Sequence, residues 1–259
     1  MRKLLSGLIG GLAFETTLPV FGGQDDFSNF AERSFLFPLV GVVLGALLGS
    51  VALGLSYLPT TIGAGLFLVC LYMLGGILHS DGLADFADGL AAGGSQARRR
   101  EIMKDEKTGA AGLVSLVVTN LLLFAILIDV LDIDGIVTVF AIVTSAEILS
   151  KQTMLCVTCF GRSAHQGMGA MFVERSGIKS LVIGTVLAAG FLYLLNGLIG
   201  LVPLVLSVIG GFAASALGNW VIGGVNGDII GASGEFLRPL ALITFAMLNE
   251  YDLIALIGL

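Results

Sequence analysis

The chain has 259 residues, of which 56% are hydrophobic, 37 are glycine and only 12% are charged. An ordinary soluble domain carries roughly 25% charged residues, and a disordered chain is poor in apolar ones, so both classes are excluded. A net charge of −6 leaves no nucleic-acid footprint and three cysteines make no disulfide framework, so the expectation is a single domain over residues 1–259, an all-α polytopic bundle embedded in a lipid bilayer.

The first segment opens on Met1-Arg2-Lys3 and runs apolar past Glu15 to Pro19 with no small-residue cleavage site. It reads as retained, an interfacial or re-entrant helix. A crossing helix needs about 20 apolar residues, because its backbone must satisfy itself in lipid. Segments of that kind are 34–58, 61–78, 110–128, 135–156, 180–198, 201–222 and 237–259, about seven membrane-embedded helices. Gly41, Gly45 and Gly49 recur every four residues in the first of these. They suit close approach of a second helix, from this chain or from a second copy in a homo-oligomer.

Three long polar segments, 80–109, 160–179 and 223–238, separate the spans on one side. With them and with residues 1–33 go all 13 Lys and Arg residues, if Lys151 lies in the last turns of its span. The opposite connections, 57–60, 129–135 and 196–200, hold none. Cytoplasmic loops carry the Lys/Arg excess. The expectation is therefore a protein of the cell membrane whose polar, functional face lies in the cytoplasm.

The strongest chemical signal is His79-Ser80-Asp81-Gly82-Leu83-Ala84-Asp85-Phe86-Ala87-Asp88-Gly89. At about 100° per residue, Asp81, Asp85 and Asp88 fall within roughly 60° on one helical face. One acid at a helix start is ordinary, but three on one stripe repel one another, and a divalent cation removes the repulsion. Mg²⁺ is the expected ion, since it takes hard oxygen ligands from a few carboxylates and from substrate phosphates. His79 is a candidate ligand or base.

Farther on, Arg98, Arg99 and Arg100 suit the positively charged flank of a span, whereas Lys104, Asp105 and Lys107, close to the glycine-rich entry to the next span, read as functional, the two lysines suiting an anionic substrate. Glu147 and Lys151 lie four apart inside an apolar span, where they either pair with each other or serve a polar site. Cys156-x-x-Cys159 reads as small apolar filler, because one such pair completes no zinc site. Arg162 and His165 are weaker phosphate candidates. Asn226, Asp228 and Glu235 stand in a glycine-rich stretch, and the two acids share a face if it is helical.

The block from Leu78 to Gly89 resembles the His-x-Asp-Gly-Leu-Ala-Asp motif, with a following Asp-Gly, of the cobalamin synthase (adenosylcobinamide-GDP ribazoletransferase) family. Met103-Lys104-Asp105-x-Lys107-Thr108-Gly109 resembles that family's next block. Gly223-Gly224-x-x-Gly227-Asp228-x-x-Gly231-Ala232 with Glu235 resembles its C-terminal block. Phe14-x-Thr16-x-Leu18-Pro19 and Phe37-Pro38-Leu39-Val40-Gly41 resemble its N-terminal features, so the likeness runs along nearly the whole chain. Thr17 departs from it, standing where many bacterial members have Arg, and 147–169 looks more like archaeal members.

The resemblance implies a Mg²⁺-dependent transfer that completes the nucleotide loop of cobalamin. A hydroxyl of α-ribazole, or of its 5′-phosphate, attacks the pyrophosphate of adenosylcobinamide-GDP, and GMP leaves. It implies a metal on Asp81, Asp85 and Asp88, with Asp81, His79, Asp105 and Asp228 as catalytic candidates. Lys104, Lys107, Glu147, Lys151, Arg162, Asn226 and Glu235 would line the substrate, and other cobalamin-pathway enzymes are candidate partners. Two other readings use the same acids. A CDP-alcohol phosphotransferase also opens on Asp-Gly, but with Ala-Arg where Asp85-Phe86 stands here. A cation or metabolite transporter would place acids along a path through the membrane.

Overall fold

Hydrocarbon offers no partner to a backbone amide, so a chain this apolar satisfies its amides within helices. The computed structural model describes residues 1–250. Its helices are α1 (Arg2–Glu15), α2 (Gln24–Glu32), α3 (Phe37–Leu55), α4 (Thr60–Gly75), α5 (Leu78–Ala91), α6 (Gln96–Ile102), α7 (Ala110–Leu131), α8 (Ile136–Phe160), α9 (Met168–Arg175), α10 (Ile178–Asn196), α11 (Val202–Ile222) and α12 (Gly227–Glu250). Among the described residues the sole β pairing is an isolated parallel bridge, Ser163 to Val225.

Helix α8 is the axis. It is buried along nearly its whole length, and α3, α10, α11 and α12 pack around it. The outer helices turn large apolar side chains outward, among them Leu113, Val117 and Leu121 of α7, Val186 and Leu194 of α10, and Val205 and Phe212 of α11. A patch of that extent does not face water in a soluble monomer; it faces lipid. The chain is a multi-pass membrane protein.

Among the described residues, five helical stretches are long and apolar enough to cross a membrane, or six with one bent pair. The stretch Ile178–Ile222 is 45 residues long and is interrupted by a 3-10 segment, Gly197–Leu201. Since about 20 residues suffice for one crossing, it holds two helices, α10 and α11, and the expected count of about seven is approached only by counting them separately.

Two boundaries differ from expectation. The segment 61–78 is not one plain span. Helix α4 has 16 residues, about 24 Å at 1.5 Å per residue, short of a hydrocarbon core of about 30 Å. It stops at Gly75, Gly76 takes a positive φ of 73°, and α5 leaves at 97° to α4. The three aspartates all lie on α5, beyond this bend. The expected last span, 237–259, starts ten residues early, at Gly227, and its end lies outside the described residues. Asn226 starts this helix by accepting the amide of Ile229 on its Oδ1 at 3.2 Å, so the polar segment 223–238 is loop only as far as Asn226.

The glycine repeat of α3 serves packing within the chain. A Cβ on Gly41 would lie 2.8 Å from Ile148 Cα, on Gly45 2.7 Å from Thr144 O, and on Gly49 2.8 Å from Thr144 Oγ1. These glycines therefore let α3 and α8 meet backbone to backbone. Thr17 ties the chain after α1 to the end of α4, its amide donating to Leu74 O at 2.9 Å. The long polar segments gather at one end of the bundle. At the other end the 57–60 and 131–135 connections line an open cavity of about 660 Å³, which shares no residue with the aspartate stripe.

The packing makes a direct prediction. Gly45→Ala forces a methyl into α8 and lowers stability by about 1–3 kcal/mol, the usual cost of overpacking. Gly54→Ala, where a Cβ meets nothing within 4 Å, leaves it unchanged or slightly raised. Thermal unfolding of the two variants in detergent checks the contrast.

Candidate active site

Residues 79–89 fold as α5, with Asp81 in its first turn where the helix dipole favours an acid. The aspartate spacing becomes a real stripe, and α12 crosses it. A Cβ on Gly82 would stand 2.8 Å from Asp228 Cα, and one on Gly231 would stand 3.0 Å from His79 Nδ1. Only glycine at these two positions lets the first turns of α5 and α12 touch. The contact brings Asp228 beside Asp81 and Asp85. Burial, and then the charges of Asp228, Asp81 and Asp88, push the Asp85 carboxyl up to about 6.

Asp88 is drawn onto another task. Its Oδ2 accepts the amide of Gly109 at 2.6 Å and its Oδ1 the amide of Gly112 at 2.8 Å. It thus caps the start of α7. Asp228 Oδ2 accepts from Asn226 Nδ2 at 2.6 Å, which leaves Oδ1 as its free oxygen.

Two cavities meet at Asp228. One, of about 180 Å³, is lined by Arg100, Lys104, His165, Asn226, Gly227 and Asp228. The other, of about 120 Å³, has Phe14, Glu15, Phe37, His79, Phe172 and Asp228 in its lining. Met168, Gly169, Gly227 and Asp228 belong to both.

Beneath them lies a buried ionic cluster. Lys151 Nζ donates to Glu15 Oε2 at 2.6 Å, and His79 Nε2 lies 2.8 Å from the same oxygen. Arg238 Nε donates to Glu147 Oε1 at 2.5 Å, while its Nη1 stands 2.8 Å from Glu235 Oε2. Burial alone would raise the Glu15 carboxyl, but the neighbouring Lys151 and His79 hold it well below the usual carboxylate range. The i,i+4 pairing of Glu147 with Lys151 does not form. Each has a partner on another helix instead, Glu147 the two-pronged guanidinium of α12 and Lys151 the end of α1.

The structure therefore brings Asp81, Asp85, Asp228, Asn226, His79 and Lys104 to one place, with Lys151, Glu147 and Glu235 directly beneath. It leaves Asp105, Lys107 and Arg162 exposed and outside both cavities. Asp105 accepts the amide of Lys107 at 3.1 Å within an exposed turn, and Arg162 contributes its carbonyl to the amide of Val225 at 2.6 Å. Cys156 is buried and Cys159 partly so, both as free thiols. Sequence reasoning missed Glu15, Arg100 and Arg238. Glu15 did carry a signal, as the one acid in an apolar run, where an ionisable group is functional by default.

Among the described residues, no three His, Cys, Asp or Glu side chains form a ready-made metal cage. The donor set nevertheless fits Mg²⁺ in kind. Its oxygens are hard and mutually repelling, as the raised Asp85 carboxyl reports, and Mg²⁺ binds through one or two carboxylates while keeping waters or substrate phosphates.

Comparison with known proteins gives the same direction along the whole chain. The model of a family described as cobalamin-5-phosphate synthase matches residues 7–246. An adenosylcobinamide-GDP ribazoletransferase of Methanocella arvoryzae is 38% identical over 257 residues, covering 93% of this chain and 95% of that one. Proteins of the same name from Methanococcoides burtonii and Thermococcus onnurineus are 32% and 36% identical, covering 95% and 93% of this chain and 94% and 97% of theirs. No solved structure matches the chain.

The ionic cluster yields a stability prediction. Arg238→Ala strands Glu147 and Glu235 without their cation, and loss of one partner from a buried pair costs about 3–5 kcal/mol. Glu147→Ala combined with Arg238→Ala loses less than the sum of the single changes. Melting in detergent across this cycle measures both; purely additive losses would remove the cluster's claim to cooperativity.

Proposed function

This chain belongs to the cobalamin-5-phosphate synthase family and is a transferase of cobalamin biosynthesis, and from that premise we propose that it joins adenosylcobinamide-GDP to α-ribazole or α-ribazole 5′-phosphate with release of GMP. The observation that carries the reading is the cavity lined by Arg100, Lys104 and His165 standing against Asp228 and the α5 carboxylates. The cations of its lining suit a pyrophosphate, and Asp228 with the α5 carboxylates beside it suits the metal and the hydroxyl that attack on a phosphate requires.

Phosphoryl transfer asks the protein for position and charge rather than covalent chemistry. The acceptor hydroxyl oxygen forms a bond to the phosphorus on the cobinamide side. The bond from that phosphorus to the oxygen of GMP breaks, and the hydroxyl proton must go to a base. Three bases were legible in the sequence. Asp105 lies outside both cavities, and His79 is engaged with Glu15 through Nε2. Asp228 lines both cavities and keeps Oδ1 free, so it takes the proton there. Arg100 and Lys104 offset the charge of the phosphates, and Asn226 holds the Asp228 carboxylate in place. Asp81 and Asp85 would hold Mg²⁺, with Asp88 and Asp228 adding charge beside them; when bound, the ion would neutralise charge on the transferring group. Glu147, Lys151 and Glu235 act as positioning residues from below.

The same reading puts the protein in the cell membrane with this end in the cytoplasm. Its support is the Lys/Arg bias, since 57–60, 129–135 and 196–200 have none and the site end has nearly all.

The test is chemical. Protein purified in detergent is given adenosylcobinamide-GDP, each acceptor in turn, and Mg²⁺, and GMP is followed by chromatography. Conversion is expected, with loss on EDTA and recovery on excess Mg²⁺. Asp81→Ala, at an exposed position, should keep its melting midpoint while GMP release falls about 10²–10³-fold, as when a charge-stabilising group is removed from a site. Undiminished release by that variant would sink the assignment.

A further inference from the structure

The arginine run of α6 is only partly used by the chemistry above. Arg100 is in the lining of the cationic cavity and donates through Nη1 to Ile222 O. Arg98 and Arg99 line neither cavity at Asp228. Gln96 Nε2 donates to Asn219 O at 3.1 Å and to Trp220 O at 3.3 Å. Gln96 and Arg100 thus satisfy carbonyls in the last turn of α11, which no amide of that helix reaches, and α6 is fastened to its end.

The end of α11 marks a membrane boundary. Its 21 residues measure about 31 Å at 1.5 Å per residue, close to a hydrocarbon thickness of about 30 Å. Val205, Ile209, Phe212 and Trp220 are all exposed, and their spacing puts them on one face of the helix. That face meets lipid. Trp220, 63% exposed, is its last large side chain, and tryptophan favours the level of the headgroups. The Arg99 guanidinium stands 5.0 Å from the centre of this indole, a cation–π contact. Stacking occupies the flat face of a guanidinium and leaves its N–H edge to bond elsewhere. Among the described residues no carboxylate pairs with Arg99, and its Nη1 bond to Leu90 O is long, at 3.4 Å. Next to it, Arg98 pairs with Glu101 at 3.2 Å, both side chains well exposed. A surface pair of that kind is worth little and exchanges readily.

We propose that Arg98, Arg99 and Trp220 form a docking site for the headgroup of an anionic phospholipid. Guanidiniums grip phosphate through paired hydrogen bonds, and the phosphates present at the level of Trp220 are those of the bilayer. A zwitterionic headgroup brings an ammonium that competes with the arginines; an anionic one does not. The site follows from the membrane setting of the chain and does not depend on the transferase reading. It bears on that reading all the same, because the short helix that would meet the lipid also carries Arg100 to the cationic cavity.

Trp220 is the sole tryptophan of the chain, so its fluorescence reports on this place alone. The purified full chain is reconstituted into phosphatidylcholine vesicles holding a minor fraction of acyl-brominated lipid, either phosphatidylglycerol or phosphatidylcholine. Bromine quenches an indole that it touches. Brominated phosphatidylglycerol should reach half-quenching at about a fivefold lower fraction than brominated phosphatidylcholine, the gain expected of a basic side chain at an anionic surface. With Arg98→Gln and Arg99→Gln combined, the two lipids should quench alike. Lys179→Gln removes an exposed charge at the same end, on α10, and should keep the native preference. Equal quenching by the two lipids in the native protein overturns the site. So does an equal loss of preference in Lys179→Gln, which reports diffuse attraction. Recovery of fluorescence on adding inorganic phosphate at constant ionic strength also overturns it, and assigns the arginines to a soluble phosphate.

Discussion

An ion sealed inside an apolar bundle costs several kcal/mol unless a counter-ion meets it, and α8 carries two, Glu147 and Lys151, at 2% and 0% exposure. Neither has a partner on its own helix. Glu147 is met by Arg238 of α12 and Lys151 by Glu15 of α1, and His79 of α5 completes the second contact. Four helices are thereby held to one another by interactions that hydrocarbon cannot replace. Leucine against leucine gives no preference of register in lipid, because the lipid is as apolar as the partner. The buried charges set which turn of α12 and which end of α1 face α8. The α3 glycines then let the remaining weight of the bundle close on the same axis.

The consequence for chemistry is placement. With α12 fixed by Arg238, its first turn passes over Gly82 and delivers Asp228 to the stripe on α5. Four carboxylates end up near one another, one of them pushed up to about 6 chiefly by burial and then by its neighbours. Arg100 and Lys104 line a cavity together with Asp228. Charges of both signs thus meet at one end of the bundle, carried by α5, by α12 and by the loops that hold Lys104, His165 and Asn226. The buried cluster adjoins the site through His79, which contacts Glu15 and also lines the cavity at Asp228.

Much of this was legible in the residues. The composition alone fixed a helical membrane protein, the period of the aspartates put them on one face, and the run of motifs from Leu78 to Glu235 resembled a single family. What was not legible depended on contacts between distant segments. Glu147 and Lys151 have ideal spacing for a local pair, and nothing local says that Arg238 and Glu15 compete better. Asp88 belongs to the stripe by period, yet the amides of Gly109 and Gly112, more than twenty residues on, claim both its oxygens. Asp105 and Lys107 looked functional by company and lie in an exposed turn. The break at Gly76 was hidden because a 97° bend leaves hydropathy unchanged.

The proposed function rests on α5 and α12 bringing their carboxylates together, which would let them share one ion. Mn²⁺, as a stand-in for Mg²⁺, can be titrated into purified protein with adenosylcobinamide-GDP present and the acceptor absent, following the free-ion EPR signal. Asp81→Asn on α5 and Asp228→Asn on α12 should each weaken binding by about tenfold or more, within the 10–100-fold range typical when a metal site loses a supporting group, and Asp105→Asn should not. Native affinity in Asp228→Asn would contradict a site shared by the two helices.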